Sequence, residues 1–363
     1  MKKVLMIGMN ADKGGIETYI MNLYRHLDKE YVLYFPYVEN IAYQDELEAL
    51  GGKFIYGVPI SRRNPFTYYK AWNNAFKEYQ FDAVYFNNCD IINLDILKIA
   101  KNRGIPIRIF HAHNSSNTLS TSTLHRLEEK HNRKITEKVI THKLACSDNA
   151  GEHIFRGYSY QVIQNGIDVD RFRFDKEVRR RKREKLHLPN TAKVILFVGR
   201  FTEIKNPLYA MDVMKACYEK DNRFIGLLCG DGPIVEQVQN KWNEEQLQPC
   251  VRLLGNRNDI NEIYSAADFL IMPSLFEGFP FVLVEAQCSG LKCICSDKVE
   301  TNTNLNGTVE YLPLELEPDG WAERIVKLPI DYDRTGGKDV IRKAGFDIEQ
   351  TVQVIKDIFE GKE

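Results

Sequence analysis

The sequence predicts an α/β protein made of two doubly wound parallel sheets that face each other across a cleft. Short apolar runs alternate with amphipathic stretches almost throughout, the pattern of parallel strands covered by helices on both faces. The series is interrupted once, by a polar and basic interval from Asp168 to Lys185, and then begins afresh. A length of 363 residues suits two domains, and 44% apolar residues suffice for two cores.

Taken in order, the first unit offers strands at Lys3 to Gly8, Val32 to Tyr37, Lys53 to Tyr56, Ala83 to Asn87, Ile107 to Ala112, His142 to Ser147 and Gln161 to Gln164, with helical patterns between them. The apolar stretch of the opening MKKVLMIGMN is short and runs straight into Asn10, Asp12 and a glycine pair. It therefore reads as a buried strand and not as a secretory leader. A linker is expected between Asn165 and Phe174. The second unit offers strands at Val194 to Gly199, Arg223 to Cys229, Val251 to Gly255, Phe269 to Pro273 and Lys292 to Cys295. Thr301 to Lys338 reads as loop-rich, and Ile348 to Phe359 has the spacing of a final helix.

Composition narrows the function. A formal charge of −1 gives no reason to expect a nucleic-acid partner, and no apolar run is long enough to span a membrane. Eight cysteines lie scattered without metal-ligand spacing and read as reduced core thiols, which places the chain in the cytoplasm.

The most informative stretch is Glu277-Gly-Phe-Pro-Phe-Val-Leu-Val-Glu285, which follows the strand DFLIMPS. Pro280 suits the first helical position, so the amides of Gly278, Phe279 and Phe281 would be free to meet an anion. Glu277 in the loop and Glu285 in the second helical turn would accept hydroxyl hydrogen bonds. One stretch is thus complementary to both the phosphates and the hydroxyls of a sugar nucleotide, although taken alone it could be an ordinary βα turn with surface glutamates. At the end of the strand Val194 to Gly199, Arg200 and Lys205 can grip and neutralise a diphosphate, or else be two solvated loop cations. Asn206 is expected to cap the following helix and Pro207 to start it.

In the first unit, Gly14 and Gly15 follow the first strand in a glycine-rich turn that lacks the G-x-G-x-x-G dinucleotide fingerprint. In His111-Ala-His113-Asn114 the two histidines are expected to point to opposite faces, leaving one for the cleft; His113, nearer the strand end, is favoured. Asp168-Val-Asp170 matches an Asp-x-Asp metal motif but follows an Asn-Gly turn at the domain junction, and Asp331-Tyr-Asp333 is weaker, so no metal ligand is assigned. Arg126, Lys130, Arg133, Lys134, Lys138 and Lys143 make Thr123 to Lys143 basic, suited to a solvated helix or to an anionic membrane surface. Lys176 to Lys185 reads as a solvated part of the linker.

Assembled in this order, the chain resembles a family 4, or group 1, retaining glycosyltransferase of the GT-B architecture, with two Rossmann-like domains, and within that class the bacterial exopolysaccharide and capsule transferases. The resemblance rests on Gly14-Gly15, His113, Asn165-Gly166-Ile167-Asp168, Gly199-Arg200 with Lys205-Asn206-Pro207, Gly230-Asp231-Gly232-Pro233, and Glu277 to Glu285 followed by Ala286, Ser289 and Gly290. It implies an acceptor-side domain of residues 1–168, joined by a helix over 346–363, and a nucleotide-sugar domain of residues 169–345. It implies that Arg200 and Lys205 hold the donor diphosphate, with Gly15 of the Gly14-Gly15 turn approaching it. Glu285 would take the ribose hydroxyls, and Glu277 with the amides after it and His113 the hexose, while Asn256 and Arg257 lie near the base. The co-substrate would be a nucleoside-diphosphate sugar, uridine-linked, with no cofactor or metal, and the acceptor a glycan or lipid-linked glycan at the inner face of a membrane. Two departures stand out: Asn87-Asn88 where many relatives carry histidine, and Glu300 to Asn306 in place of a glycine-rich loop. The competing readings are a sugar-nucleotide epimerase of the same architecture, a non-catalytic partner in a polysaccharide-assembly complex, and least of all a dehydrogenase.

Overall fold

The computed structural model describes residues 1–11, 14–113 and 123–362, with only the backbone of Leu124. Asp12 and Lys13 of the first loop and Asn114 of the histidine motif lie outside the described residues. The chain divides into two compact units, residues 1–166 with 348–363, and residues 167–347.

The first unit contains β1 (Lys2–Ile7), α1 (Gly15–His26), β2 (Tyr31–Pro36), α2 (Gln44–Ala49), β3 (Lys53–Ile55), α3 (Pro65–Tyr79), β4 (Ala83–Asn88), α4 (Asp95–Asn102), β5 (Ile107–Ala112), α5 (Thr123–Val139), β6 (His142–Ala145), α6 (Asp148–Phe155), β7 (Gln161–Val162) and the terminal helix α15 (Ile348–Glu360). Its seven strands lie in the order β3-β2-β1-β4-β5-β6-β7. All the pairings are parallel, with Val4 opposite both Leu33 of β2 and Ala83 of β4.

The second unit contains α7 (Val169–Phe172), α8 (Lys176–Lys185), β8 (Lys193–Val198), α9 (Pro207–Lys220), β9 (Phe224–Cys229), α10 (Val235–Glu244), β10 (Val251–Gly255), α11 (Ile260–Ala266), β11 (Phe269–Met272), α12 (Phe281–Cys288), β12 (Lys292–Ser296), β13 (Val309–Leu312), α13 (Glu317–Ile325) and α14 (Gly337–Lys343). Its six parallel strands run β10-β9-β8-β11-β12-β13. Alternation along β8 fills both faces of this sheet: Val194 and Leu196 enter one core, Ile195 and Phe197 the other. A parallel sheet covered on both sides therefore reads as a continuous apolar run.

Both sheets are the α/β doubly wound arrangement expected, and in each the strand order reverses once. The reversals fall between β1 and β4 and between β8 and β11. Loops leaving such neighbours at their carboxyl ends diverge, and the crevice they leave is where this class of sheet takes ligands.

Two stretches differ from expectation. Thr301 to Lys338 contains strand β13, helix α13 and the start of α14. Their signal is weak in sequence because β13 has four residues and an edge position, while α13 starts at Glu317-Pro318, a pair that also reads as a turn. The basic stretch Lys176 to Lys185 is helix α8, and Lys182 and Arg183 are buried in it. Lys182 pairs with Asp259 and Glu262 of the neighbouring helix region, and Arg179 Nη2 donates to Asp268 Oδ1 at 2.6 Å. Arg179 Nη1 also donates to the carbonyls of Ser265, Ala266 and Ala267, satisfying the end of α11. The charge run is thus a tether rather than a solvated linker, since each buried cation meets a carboxylate or a helix terminus.

Candidate functional site

In the second unit the site elements converge on the β8–β11 reversal. β8 ends in Gly199 and Arg200, whose loop is fastened to the loop after β9. The Gly199 amide donates to the Cys229 carbonyl at 3.0 Å, the Phe201 amide to the Asp231 carbonyl at 2.8 Å, and the Ile234 amide to the Phe201 carbonyl at 3.2 Å. The approach is close enough that a Cβ on Gly230 would stand 1.9 Å from the Gly199 carbonyl oxygen, which accounts for the glycine there. Arg200 is exposed at this rim and Lys205 half-buried one turn later.

Asn206 stands at the N-cap of α9, yet its side chain makes no cap hydrogen bond. It adopts the left-handed conformation, φ 56°, that asparagine tolerates, and its amide bonds back to Thr202 and Glu203. Asn206 thus turns the backbone rather than capping it, while Pro207 does occupy the first turn.

Glu277 comes from the β11 loop next door and forms an ion pair with Lys205. Its carboxylate side is largely enclosed, at 13% exposure against 29% for Lys205, so the pair is shielded on one side and open on the other. The Glu277 backbone is stitched between residues beyond β12: its amide donates to the Lys298 carbonyl at 3.3 Å and its carbonyl accepts from the Glu300 amide at 3.1 Å. Gly278 and Phe279 follow, and α12 begins at Phe281 with Pro280 at its N-cap, one position earlier than expected. Phe279 stacks flat on Phe346, centroids 4.9 Å apart, which fixes the bend. The Leu283 amide donates to the Pro280 carbonyl at 3.1 Å, whereas the Phe281 amide, at the first position of α12, has no intrahelical acceptor and lies at the positive end of the helix dipole.

One and a half turns on, Glu285 Oε2 accepts from the Tyr264 hydroxyl at 2.9 Å. Burial raises its carboxyl from 4.5 to about 7, with the Tyr264 bond pulling the other way. Tyr264 belongs to α11, twenty-one residues distant in sequence, and nothing local in the sequence signals it. Gln287 was likewise not foreseen: fully buried, it donates to the Leu283 and Thr303 carbonyls and accepts from the Leu305 amide at 2.8 Å, fixing the loop that holds Glu277. Asn256 is exposed after β10, and Arg257 is held by two bonds to Asp259, 2.8 and 2.6 Å. The Asp-x-Asp pair is spent structurally. Asp168 caps α7 by accepting from the Arg171 amide at 2.9 Å, and Asp170 is paired with Lys338 and Arg173. Among the described residues no group of three or more His, Cys, Asp or Glu is placed to hold a metal ion.

In the first unit, Gly14 caps α1. Its amide donates to Glu17 Oε2 at 3.0 Å, and Asn10 donates to the other oxygen at 3.1 Å, so buried Glu17 braces the glycine turn. A Cβ on Gly15 would meet nothing within 4 Å. The two histidines do not point to opposite faces. Residues two apart along a strand share a face, and the rings lie 4.2 Å apart. His111 is wholly buried, with Nδ1 2.9 Å from the Tyr85 hydroxyl. His113 follows the end of β5, and its Nε2 is 2.9 Å from Asn87 Oδ1. Asn87 Nδ2 in turn donates to the Ile7 carbonyl at 2.9 Å. With the amide committed that way, Oδ1 is the acceptor and His113 Nε2 carries the proton, leaving Nδ1 as the ring's acceptor. Burial lowers the His113 pKa to about 3, so the imidazole is neutral and can only exchange hydrogen bonds.

The second unit supplies cations and helix amides suited to phosphate oxygens and carboxylates suited to hydroxyls, and the first unit, taken by itself, supplies a neutral imidazole. A family model described as glycosyl transferases group 1 matches residues 178–328, and one described as glycosyltransferase family 4 matches residues 13–171. The chain is 31% identical over 370 residues to the putative glycosyltransferase EpsF of Bacillus subtilis, covering 99% of this chain and 96% of that one. It is 23% identical to the capsular polysaccharide biosynthesis glycosyltransferase CapH of Staphylococcus aureus, covering 100% and 99%. Its fold matches the crystal structure of Anabaena HepE in complex with UDP-glucose with a TM-score of 0.73 at 19% identity, over 99% of this chain and 100% of that one. Matched along its whole length by such a relative, the chain belongs to glycosyltransferase family 4, the group 1 glycosyl transferases, and is a transferase with the GT-B fold.

Proposed function

We propose that this transferase moves a hexose from a uridine-diphosphate sugar to a glycan or lipid-linked acceptor, with retention, in exopolysaccharide or capsule biosynthesis on the cytoplasmic side of a membrane. The observation that carries the reading is the Lys205–Glu277 pair at the β8–β11 reversal, set at the foot of α12. A cation, a helix N-terminus and a braced carboxylate side by side suit a phosphate joined to a polyol. The UDP-glucose held by the structurally similar HepE and the capsule role of CapH support the donor and the setting.

In this mechanism Arg200, Lys205 and the α12 amides stabilise charge as it grows on the departing diphosphate. Gly15 lets the backbone approach the phosphates, Glu285 accepts from the ribose, and Asn256 and Arg257 lie toward the base. Glu277, with the Gly278 and Phe279 amides, and His113 Nδ1 orient the hexose. No carboxylate is assigned as a covalent nucleophile, so attack proceeds on the face the diphosphate leaves. Arg200 and Lys205 supply the positive charge, and no metal is required. On α5, Arg126, Lys130, Lys134 and Lys138 recur every fourth residue and are exposed, a stripe suited to anionic lipid headgroups.

Thermal-shift screening against uridine, guanosine and adenosine diphosphates and their sugars tests this. Stabilisation by the uridine series, unchanged by chelator and lost in Arg200→Ala, is expected, as is loss of transfer in Glu277→Ala with the fold intact. Stabilisation by none of the nucleotides, or full activity in Glu277→Ala, would overturn it.

A further inference from the structure

The first unit holds a second constellation that the donor chemistry does not use. A cavity of about 330 Å³ opens beside α3, α4 and α5, within the roughly 300–1,000 Å³ range of ligand pockets. Asp95, the first residue of α4, has a side chain only 2% exposed and is held between Arg62 Nη1 at 2.8 Å and Lys98 Nζ at 3.3 Å. Arg62 also pairs with Glu128 of α5. Asn132 is buried, spends its amide nitrogen on the Ile91 and Ile92 carbonyls, and leaves Oδ1 without a partner. Tyr69 and Leu127, 37% and 61% exposed, contribute apolar surface to the same cavity.

We propose that this cavity is a binding site for a neutral saccharide, the non-reducing end of the acceptor; the identity of that saccharide as acceptor rests on the transferase reading above. The charges choose between ligands. Among the described lining residues Arg62 and Lys98 are balanced by Asp95 and Glu128, with His131 beside them, so the fixed charges give a phosphate no net attraction. The Arg62, Lys98 and Glu128 side chains, held in place through buried Asp95 and 30%, 29% and 22% exposed, keep donor and acceptor capacity that hydroxyl groups can use at once. A pyranose also has an apolar C–H face, and the Tyr69 ring with Leu127 gives that face a surface to lie on. Position agrees with chemistry. Arg62 follows β3, Asp95 follows β4 and α5 follows β5, so the cavity sits at the carboxyl edge of the sheet, and β5, the strand beside β4, leads to His113. The exposed cationic stripe of α5 lies on the same helix as Leu127 and Glu128, which would leave a lipid tail near the surface that suits it.

The test uses the full chain with methyl glycosides of glucose, galactose and N-acetylglucosamine as probes, followed by saturation-transfer NMR in the presence of excess UDP. Transfer to the ring protons of at least one glycoside is expected. It should fall at least fivefold in both Tyr69→Ala and Lys98→Ala, while the UDP-induced thermal shift of both variants stays at the wild-type value. Absence of transfer for all three glycosides, or transfer that persists in both variants, would overturn the proposal, as would displacement of the glycoside by millimolar inorganic phosphate. Because the thermal shift reads the donor site alone, failure of UDP to stabilise the protein would count against the donor reading and leave the glycoside result to judge this one.

Discussion

Asn87 spends both ends of its amide within the first unit, on the Ile7 carbonyl and on His113, and so sets which His113 nitrogen can accept from a hydroxyl. Asn87→Ala removes that constraint and takes a partly buried donor from the Ile7 carbonyl. The expected cost is about 1–3 kcal/mol of stability, with transfer slowed about tenfold for one lost oriented hydrogen bond. Nitrogen-15 NMR of the imidazoles checks the cause, since wild-type His113 should show a single Nε2-protonated tautomer from pH 5 to 9 and the variant a mixture. Glu285 behaves differently because its proton lies within reach of ordinary buffers. Raised from 4.5 to about 7, it keeps a proton in the folded state that the unfolded chain has already released. Its contribution is therefore fully favourable below about pH 4.5, declines as pH rises, and levels off above about 7, a loss on the order of 3 kcal/mol. Uridine-diphosphate binding should move the other way, strengthening through pH 7 as the carboxylate becomes a full acceptor for ribose. Melting curves and titrations on Glu285→Gln check both; a melting-temperature offset from wild type that is constant across pH 4.5 to 7.5 would refute the shift.

The elements that carry the site are βα turns, and their glycines divide by what surrounds them. Gly230 faces the Gly199 carbonyl at a distance no Cβ can occupy, whereas Gly15 faces open space. Gly230→Ala should therefore force apart the loops that present Arg200 and Lys205, at about 3 kcal/mol or more. Gly15→Ala should leave the melting temperature within about 2 °C of wild type, because alanine is favoured over glycine inside a helix. It should nonetheless weaken donor affinity about tenfold if the backbone at Gly15 is approached by phosphate. Calorimetry and a donor titration on the two variants separate the outcomes, and equal loss of stability in both would refute the distinction. These turns were legible in the sequence because glycine, proline and strand ends are local signals. The conformation of Asn206 was not, since its left-handed turn is imposed by amide bonds back to Thr202 and Glu203.

At the scale of the whole molecule, the chain closes on its own beginning. Ile348, Val352, Ile355, Ile358 and Phe359 of α15 are buried in the first unit, Phe359 packs on Tyr31 with centroids 5.5 Å apart, and Lys2 Nζ donates to the Phe359 carbonyl at 2.6 Å. Five buried apolar side chains, each contributing roughly 1.5–3 kcal/mol, make this helix part of the first unit's core rather than a tail. Deleting residues from 348 onward should lower the first unit's unfolding transition by about 5 kcal/mol or more while leaving that of residues 167–347 in place. Calorimetry checks this, and an unchanged pair of transitions would show the helix to be dispensable.

Sequence alone determined the fold class, the strand series except β13, and the candidates Arg200, Lys205, Glu277, Glu285, Gly15 and His113, because period, glycine, proline and charge at strand ends are properties of a few neighbouring residues. Tertiary structure decided what those residues touch. Strand order puts Lys205 against Glu277, and a helix elsewhere brings Tyr264 to Glu285. Asn87 selects the His113 tautomer, and the cations of α8 turn inward to Asp268 and Asp259. Each of those contacts joins residues dozens of positions apart, or elements separate in the chain, and its energy comes from burial, which no local stretch of sequence contains.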